Sequence, residues 1–571
     1  VIARQLNRTD VVIVGAGAVG GVAALPLASA GLRVIGLEAG QWLDTRDMAP
    51  DELMLARGLW PPGPQKVDGE VPTSRATAAG PANQAFSHPM MNAVGGTSNH
   101  FMAQAWRLNP WDFRVASATR ERYGPGRIPA DSTVADWPIT YADLEPFYDA
   151  VEYSIGVSGK AGNIGGRLDD AGNIFEGPRQ REYPMPPLRT TSFMQRMSDA
   201  AGSLGWHPFV GPAAIASVPY RGRAACVYHG FCMSAGCHVN AKSSTGVTTI
   251  PEAVATGQYE VVTGARVTAI VSDADGRATG VSYIRNQEEY FQPADVVLLA
   301  GYTYENVRLL LLSTSSRFPA GLANNSGQVG RHYFSHLQFG GASALFPFDL
   351  ENWYGTPGQG IAVDDWADDN FDHAQLDFVG GGSLYVYTER RPMGAVSGLG
   401  DWGRTGRNWG SDWKSHVIEN VDRTNSAYIQ RTTLPYEGNV LDLDPNVRDP
   451  LGFGVIRITA AFRENERRMS PFLVDRMREW YLAAGATRVT GTGGVANAMG
   501  VSTHAFGGTR MGDDPATNVV DRFAFAHEVP NLGILGASVM GTSGARNPTL
   551  TAQALAWRTA AHLAGNWNEI A

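Results

Sequence analysis

Asp10-Val11-Val12-Ile13-Val14-Gly15-Ala16-Gly17-Ala18-Val19-Gly20 opens a unit that closes at Glu38, and its reading decides the fold. Asp10 to Val14 is short, apolar and rich in β-branched residues, the pattern of a buried parallel strand. Val22 to Ala30 is an apolar helical stretch, with Gly31 at the place of a helix stop. Arg33-Val34-Ile35-Gly36-Leu37 reads as a second strand ending at Glu38. Strand, glycine-rich turn, helix and strand make a complete βαβ unit. Gly15 permits the tight turn, Gly17 lets the backbone approach a pyrophosphate, and Gly20 allows the helix to pack closely on the strand. The helix N-terminus offers free N–H groups and a positive dipole end to phosphates. Glu38 is placed to accept hydrogen bonds from ribose hydroxyls. The unit predicts dinucleotide binding, and its spacing alone does not choose between FAD and NAD.

Composition sets the frame around this unit. The chain has 571 residues, 43% of them hydrophobic and 18% charged, which suits a globular protein with a large core. No run of about 18 apolar residues occurs, so no membrane-spanning helix is expected. The net charge of -9 argues against a nucleic-acid partner, whose phosphates call for basic patches. The first nine residues are polar and too short for a signal peptide, so any export address is expected elsewhere. The 3 cysteines exclude a disulfide-rich scaffold. All lie between positions 226 and 237.

Distant segments carry a resemblance. They are Val94-Gly95-Gly96-Thr97-Ser98-Asn99-His100 with Trp106-Arg107, and Asn531-Leu532-Gly533-Ile534-Leu535-Gly536-Ala537-Ser538 followed by Arg546-Asn547-Pro548-Thr549. With the βαβ unit they resemble the glucose–methanol–choline (GMC) family of FAD oxidoreductases. Asp136-Trp137-Pro138 through Tyr148, Ala323 through Arg331, and His504 through Gly512 are similar to its bacterial sugar-dehydrogenase branch. That branch holds large catalytic subunits acting on glucose, fructose, gluconate and glucosides, and pyranose oxidases are related to it.

The resemblance implies an α/β (α+β) fold, with a Rossmann-like FAD-binding domain and a substrate domain containing an antiparallel sheet. The FAD domain is expected over 9–115, 222–340 and 500–571, and the substrate domain over 116–221 and 341–499. Residues 261–284, with a turn at Asp275-Gly276, read as a β-meander inserted in the nucleotide domain. Ala294 to Gly301 reads as a further buried strand leading into a helix around Asn306 to Leu312. Beyond Gly15, Gly17, Gly20 and Glu38, cofactor contacts are expected along Gly95, Gly96, Ser98, Asn99 and His100. Val267, Ala300, Gly536, Ala537, Asn547 and Thr549 complete the expected set. His100 either packs near the flavin ring or is joined covalently to it.

Oxidising a carbinol removes a hydroxyl proton and passes a hydride to flavin N5. Histidine suits the proton, because its ordinary pKa of about 6.5 lies near working pH. The family uses a His–Asn or His–His pair. His504 matches the base and Asn547 its partner, 43 residues apart in sequence.

Cys226, Cys232 and Cys237 lie in a glycine-containing loop with C-x5-C-x4-C spacing, a plausible metal nest. Four readings compete: an iron–sulfur cluster, a zinc site completed by His229 or His238, a disulfide with a spare thiol, and chance proximity. The resemblance favours a [3Fe-4S] cluster, although the family loop has one residue fewer between its second and third cysteines. A cluster implies a dehydrogenase that passes electrons singly to a cytochrome c. It also implies a small subunit bearing a twin-arginine signal, and a periplasmic place at the inner membrane. The rivals are an oxygen-using oxidase without a cluster, in the cytoplasm, and a non-catalytic flavin electron-transfer subunit.

Residues 345–435 are rich in aromatic side chains, among them Trp353, Tyr354, Trp366, Tyr385, Tyr387 and Tyr428, which suit carbohydrate C–H faces. Ser397 to Trp413 reads as a candidate lid. Asp364-Asp365 and Asp368-Asp369 lack a full calcium pattern and read as a solvated loop.

Overall fold

The strand Thr9–Val14 lies at the heart of a parallel sheet, between Val34–Glu38 on one side and Glu288–Leu299 on the other. The order runs Tyr259–Thr263, Val34–Glu38, Thr9–Val14, Glu288–Leu299, Val529–Ile534. Val11, Val12 and Ile13 are wholly buried. A strand covered on both faces needs a continuous apolar run rather than alternation, which Asp10 to Val14 supplies. The computed structural model describes every residue except 1–3, 49–51, 54–69, 86, 87, 89, 231, 234, 338–340, 357, 359, 390, 398, 401 and 403–406.

Glu288–Leu299 does two jobs. Its first half pairs antiparallel with Ala278–Arg285, and its second half pairs parallel with Thr9–Val14. Arg266–Ser272, Ala278–Arg285 and this strand form the meander, with turns at Asp275-Gly276 and Asn286-Gln287. Asn286 and Gln287 both take positive φ (51° and 65°), the geometry a two-residue hairpin needs to follow strand twist. The expected meander is corrected at one end. Val261-Val262 lie in Tyr259–Thr263, which pairs parallel with Val34–Glu38 and belongs to the nucleotide sheet. The helix expected from Asn306 begins earlier and runs Thr303–Leu312.

The C-terminal segment returns to this sheet. Leu532 pairs with Val297, and the helix Thr549–Gly565 packs against Gly20–Ser29 and Tyr141–Ile155. Tyr148 and Thr551 tie two of these helices through a 2.8 Å hydroxyl contact.

A second sheet is wholly antiparallel: Tyr428–Arg431, Gly382–Tyr387, Gly360–Val363 and Pro208–Val210. One face is covered by the helices Ser192–Ser203 and Glu464–Ala483. Leu473, Val474, Met477 and Trp480 recur at helical spacing and are buried there. The Trp480 indole donates to the Met197 carbonyl at 2.7 Å, so the largest core side chain leaves no polar atom unmatched. The other face carries the side chains of the candidate site.

Candidate active site

The parallel strands end at a cavity of about 180 Å³. Open α/β sheets bind ligands at this carboxyl edge. Of the expected cofactor residues, Gly15, Gly17, Glu38, Gly96, Val267 and Ala300 line it. Thr97, of the quoted glycine-rich segment, lines it too, and so do Met90, Asn92, Arg266 and Tyr302, which were not among the expected contacts.

Two glycine positions show why the cavity exists. Gly15 has φ +99°, and a Cβ there would stand 2.7 Å from the Ala300 carbonyl oxygen. Gly96 has φ +54°, and its Cβ would stand 2.9 Å from Gly17 Cα. Larger residues would force two backbone walls apart. Gly20 lies beneath the cavity, where a Cβ would collide with Gly15 O at 2.0 Å. Glu38 accepts from the Ala16 and Gly40 amides at 3.1 and 2.9 Å, which fixes its carboxylate at the end of its strand.

The other expected contacts take different places. Gly95, Ser98 and Asn99 do not line the cavity but pin the loop that does. Ser98 Oγ donates to Gly95 O at 2.5 Å, and Asn99 Nδ2 donates to Gly96 O at 2.9 Å. His100 Nε2 is enclosed without a hydrogen-bond partner. Burial, with the Lys242 ammonium second, pushes the pKa of His100 down to about 4. Gly536 (φ +104°) faces Val19 of the cavity wall, and Ala537 O accepts from the Gly507 amide at 3.3 Å. Thr549 opens the C-terminal helix. The glycine-walled cradle, the carboxylate at the strand end and the orphaned His100 nitrogen fit an FAD.

From the cavity wall the chain reaches His504. Tyr302, held at φ +80°, passes its hydroxyl to the carbonyl of Ser502, and Thr303 Oγ1 donates to Ala505 O at 2.7 Å. Strained φ of this kind concentrates at functional sites. The short strand Ala505–Phe506 pairs with Phe334–Ser335. Within this frame His504 Nε2 meets Asn547 Nδ2 at 3.4 Å, so the two expected partners are brought together. His504 Nδ1 meets His336 Nδ1 at 3.0 Å, and His336 Nε2 meets the Gly544 carbonyl at 3.0 Å. Burial holds the pKa of His504 well below the ordinary histidine range, with His336 adding to the effect. A neutral, buried imidazole beside an amide can accept a hydroxyl proton and orient the alcohol. His336 escaped the sequence reading because a two-residue strand leaves no periodicity to detect.

Behind Asn547 lies a buried charge array that overturns one expectation. Asp364 and Asp368 are not solvated, at 0% and 1% exposed. The Arg546 guanidinium stands 2.8 Å from Asp364 and 3.5 Å from Asp368. Asn173 and Ser383 also donate to Asp364, at 2.6 and 2.7 Å. Asn109 and the Ala545 amide donate to Asp368, at 2.8 and 3.1 Å. Their neighbours face outward, Asp365 to His207 and Asp369 to Arg122. Asp112 joins the array with its pKa raised by burial and then by the Asp368 carboxylate. Arg546 thereby anchors the residue before Asn547.

The open face of the antiparallel sheet looks toward this array. Phe209, Ala362, Tyr385 and Tyr428 are register partners and form one row across four strands. Trp106 packs edge-on to Phe209 and Tyr385 at 5.9 and 6.0 Å, and Arg546 lies 6.0 Å from its ring centre. Gln104 Nε2 and Gln430 Nε2 are buried without hydrogen-bond partners. Buried amides left unsatisfied call for a bound group. Of the aromatic residues expected here, Trp353 and Tyr354 are instead exposed, at 41% and 42%. Part of the candidate lid, at 398, 401 and 403–406, lies outside the described residues.

The cysteine loop is tied to Phe101 through Lys242. All three cysteines are free thiols, with Cys232 buried and the other two half-buried. Burial pushes Cys226 up to about 11 and Cys232 up to about 12. Lys242 Nζ donates to the carbonyls of Phe101, Cys232 and Ala235 at 2.8, 3.1 and 2.7 Å. Glu389 accepts from the Cys232 and Met233 amides, both at 2.9 Å. His229 and His238 stack on one another at 5.0 Å. Among the described residues, no group of three or more His, Cys, Asp or Glu is arranged to hold a metal ion. The expected ligand sets, for iron–sulfur and for zinc, are therefore not preformed.

A nucleotide cavity of this construction, linked through Tyr302 and Thr303 to a buried His–Asn pair, suits a flavin-dependent oxidoreductase of alcohols. Comparison with known proteins agrees. The GMC oxidoreductase family models match residues 195–338 and 435–556. The chain is 32% identical to a gluconate 2-dehydrogenase flavoprotein of Pantoea cypripedii, over 98% of this chain and 94% of that protein. It is 28% identical to a fructose dehydrogenase large subunit of Gluconobacter japonicus, over 98% of each. The fold superposes on a pyridoxine 4-oxidase from Mesorbium loti with a TM-score of 0.63 at 17% identity, covering 97% of this chain and 99% of that one. The chain belongs to the GMC oxidoreductase family, and it is an FAD-dependent oxidoreductase acting on CH–OH groups. No helix among the described residues is long and apolar enough to cross a membrane.

Proposed function

We propose that this chain oxidises a ring hydroxyl of a sugar or glycoside to a ketone, with C3 of a pyranoside as its position. The observation that carries the reading is the buried His504 beside Asn547, 3.4 Å apart, where burial favours the neutral imidazole. His504 Nε2 takes the hydroxyl proton, and the Asn547 amide holds the oxygen in place. FAD, when bound, supplies the hydride acceptor. The row of Phe209, Tyr385 and Tyr428, with Trp106, supports a sugar, because C–H faces pack on such rings. Gln104 and Gln430 offer their Nε2 groups to the flanking hydroxyls. The gluconate and fructose dehydrogenases among the relatives support the same substrate class. NMR of the product formed from a panel of pyranosides, free sugars and aldonates is expected to show a 3-ketone. Oxidation only at the anomeric carbon contradicts the C3 assignment.

The pH dependence follows from the lowered pKa of His504. Protonation of Nε2 removes the acceptor, so activity falls on the acid side. Because the fold depresses this pKa, flavin reduction is expected to stay level as pH falls through about 6.5, the ordinary histidine value. Stopped-flow reduction across that range checks it, and an acid limb centred near 6.5 contradicts it.

We assign the cysteine loop to a [3Fe-4S] cluster on Cys226, Cys232 and Cys237. In support, the thiols are free and gathered on one loop, and Lys242 ties that loop to Phe101, next to His100. A cluster held there would supply a one-electron acceptor. The match to a relative named a large subunit supports assembly with a further subunit; we propose that this subunit carries a twin-arginine signal and that a periplasmic cytochrome c takes the electrons. Iron and sulfide analysis with an EPR spectrum of the purified protein tests the assignment. Flavin with no iron turns the reading to an oxygen-using oxidase.

A further inference from the structure

His336 is buried at 3% exposure and has no part in the proton and hydride movements described above. Its ring is nevertheless held at both nitrogens. Nε2 lies 3.0 Å from the carbonyl oxygen of Gly544, and Nδ1 lies 3.0 Å from Nδ1 of His504. A carbonyl oxygen has no proton to give, so His336 Nε2 must carry one. Burial pushes the pKa of His336 down to about 3, which keeps the ring neutral. A neutral imidazole protonated at Nε2 presents a lone pair at Nδ1.

Two ring nitrogens 3.0 Å apart attract only if one of them bears the proton. The lone pair of His336 therefore requires the proton on His504 Nδ1. His504 is neutral as well, so its Nε2 is the bare nitrogen, and Asn547 Nδ2 donates to it from 3.4 Å. The opposite tautomer would set two lone pairs against each other at 3.0 Å, too close for a water to lie between them. We propose that His336 fixes His504 in its Nδ1-protonated tautomer and so holds Nε2 as the proton acceptor for the substrate hydroxyl. His336 is a positioning residue, acting through His504.

The surroundings keep this arrangement from slipping. The backbone amide of His336 donates to the carbonyl of His504 at 3.3 Å, so backbone and ring tie the same two residues. Phe506 packs edge-on to the His336 ring at 4.8 Å. Gly544, whose carbonyl reads the Nε2 proton, takes φ +56°, and a Cβ there would stand 2.7 Å from the Asp112 carboxylate. The charged and titratable groups nearby are Asp112, Asp364, Asp368 and Arg546 behind Gly544, and Arg431, which donates to Leu337 O at 3.3 Å. None of them makes a hydrogen bond to the His336 ring, whose two nitrogens are taken by Gly544 and His504. The arrangement also serves turnover. A neutral partner orients His504 without stabilising its charged form as a carboxylate would, so the proton taken from substrate is readily released.

The inference rests on His504 as the base, and the test separates the two. Flavin reduction is followed anaerobically in the holoenzyme, with whichever of D-gluconate, D-fructose and methyl glucoside reduces the wild type fastest. His336→Leu fills the space without an acceptor, whereas His336→Asn sets an amide oxygen near the place of Nδ1. His336→Leu is expected to slow reduction by about 100-fold or more, the scale of a displaced general base. Apparent KM and FAD content should hold, and a solvent deuterium effect should grow as proton transfer becomes limiting. His336→Asn is expected to stay within about ten-fold of wild type. A leucine variant within about three-fold of wild type overturns the inference, as does equal slowing of both variants with an unchanged solvent effect. If the leucine chain fails to take up FAD, His336→Ala with added imidazole replaces it. Restored rate supports the inference, and no restoration overturns it. His504→Ala is run alongside. If His504→Ala is also unaffected, the reading of His504 fails. If only His504→Ala collapses, the inference about His336 alone falls.

Discussion

His504→Ala is expected to slow substrate-driven flavin reduction by about 10²- to 10⁴-fold while FAD stays bound. The separation of effects follows from the geometry. His504 is not among the side chains lining the nucleotide cavity. Its backbone contacts, amide to Ser502 Oγ at 3.0 Å and carbonyl from the His336 amide at 3.3 Å, do not depend on the side chain. The substitution removes the proton acceptor and leaves the cradle. Stopped-flow reduction, with the flavin-to-protein ratio measured on the same sample, checks both halves. A rate within a few-fold of wild type would show that some other group takes the proton.

Arg546→Met is expected to cost about 3–5 kcal/mol of stability, the scale for removing one partner of a buried ion pair. Asp364 and Asp368 then face each other with their hydrogen-bond donors but no opposing charge. Asp112, already raised by burial and by Asp368, gains no relief. The pH dependence has a definite sign. Without the guanidinium the folded-state pKa values of Asp112 and Asp368, already raised by burial, rise further above the unfolded value of about 3.9. The folded chain then binds more protons than the unfolded chain, so the deficit is largest near neutrality and shrinks as pH falls through the raised values. Thermal unfolding of wild type and variant near pH 7 and near pH 5 tests this. Adding Asp364→Asn should recover part of the loss. Activity should fall too, because Arg546 anchors the residue next to Asn547. An unchanged melting temperature at neutral pH would mean that the array is not held by its charges.

What the sequence disclosed and what it hid divide along physical lines. The βαβ unit was legible because its signals are local: β-branched residues for the strand, glycines at the turn, an acidic residue at the strand end. The Asp275-Gly276 turn was legible for the same reason. Val261-Val262 were assigned to the wrong strand set, because a short β-branched run carries no record of whether its neighbour is parallel or antiparallel. Asp364 and Asp368 were misread because their counter-ion is far away in sequence, 182 residues from Asp364. Two adjacent acidic pairs look solvated until a buried arginine is brought to them. His504 and Asn547 were found only through flanking motifs. His336 sits in Tyr333-Phe334-Ser335-His336-Leu337, where nothing marks the histidine out, and only tertiary pairing with Ala505–Phe506 sets it against His504. The cysteines were conspicuous by spacing, yet spacing did not settle their arrangement.

The account stands or falls on whether a sugar carbinol reduces the flavin. The most direct measurement is anaerobic mixing of the holoenzyme with a panel of pyranosides, free sugars and aldonates, each in ordinary form and with deuterium at the carbinol carbon. The predicted result is bleaching of the flavin by at least one member, slowed by the deuterium. A flavin that stays oxidised with the whole panel, though dithionite reduces it, would contradict the account.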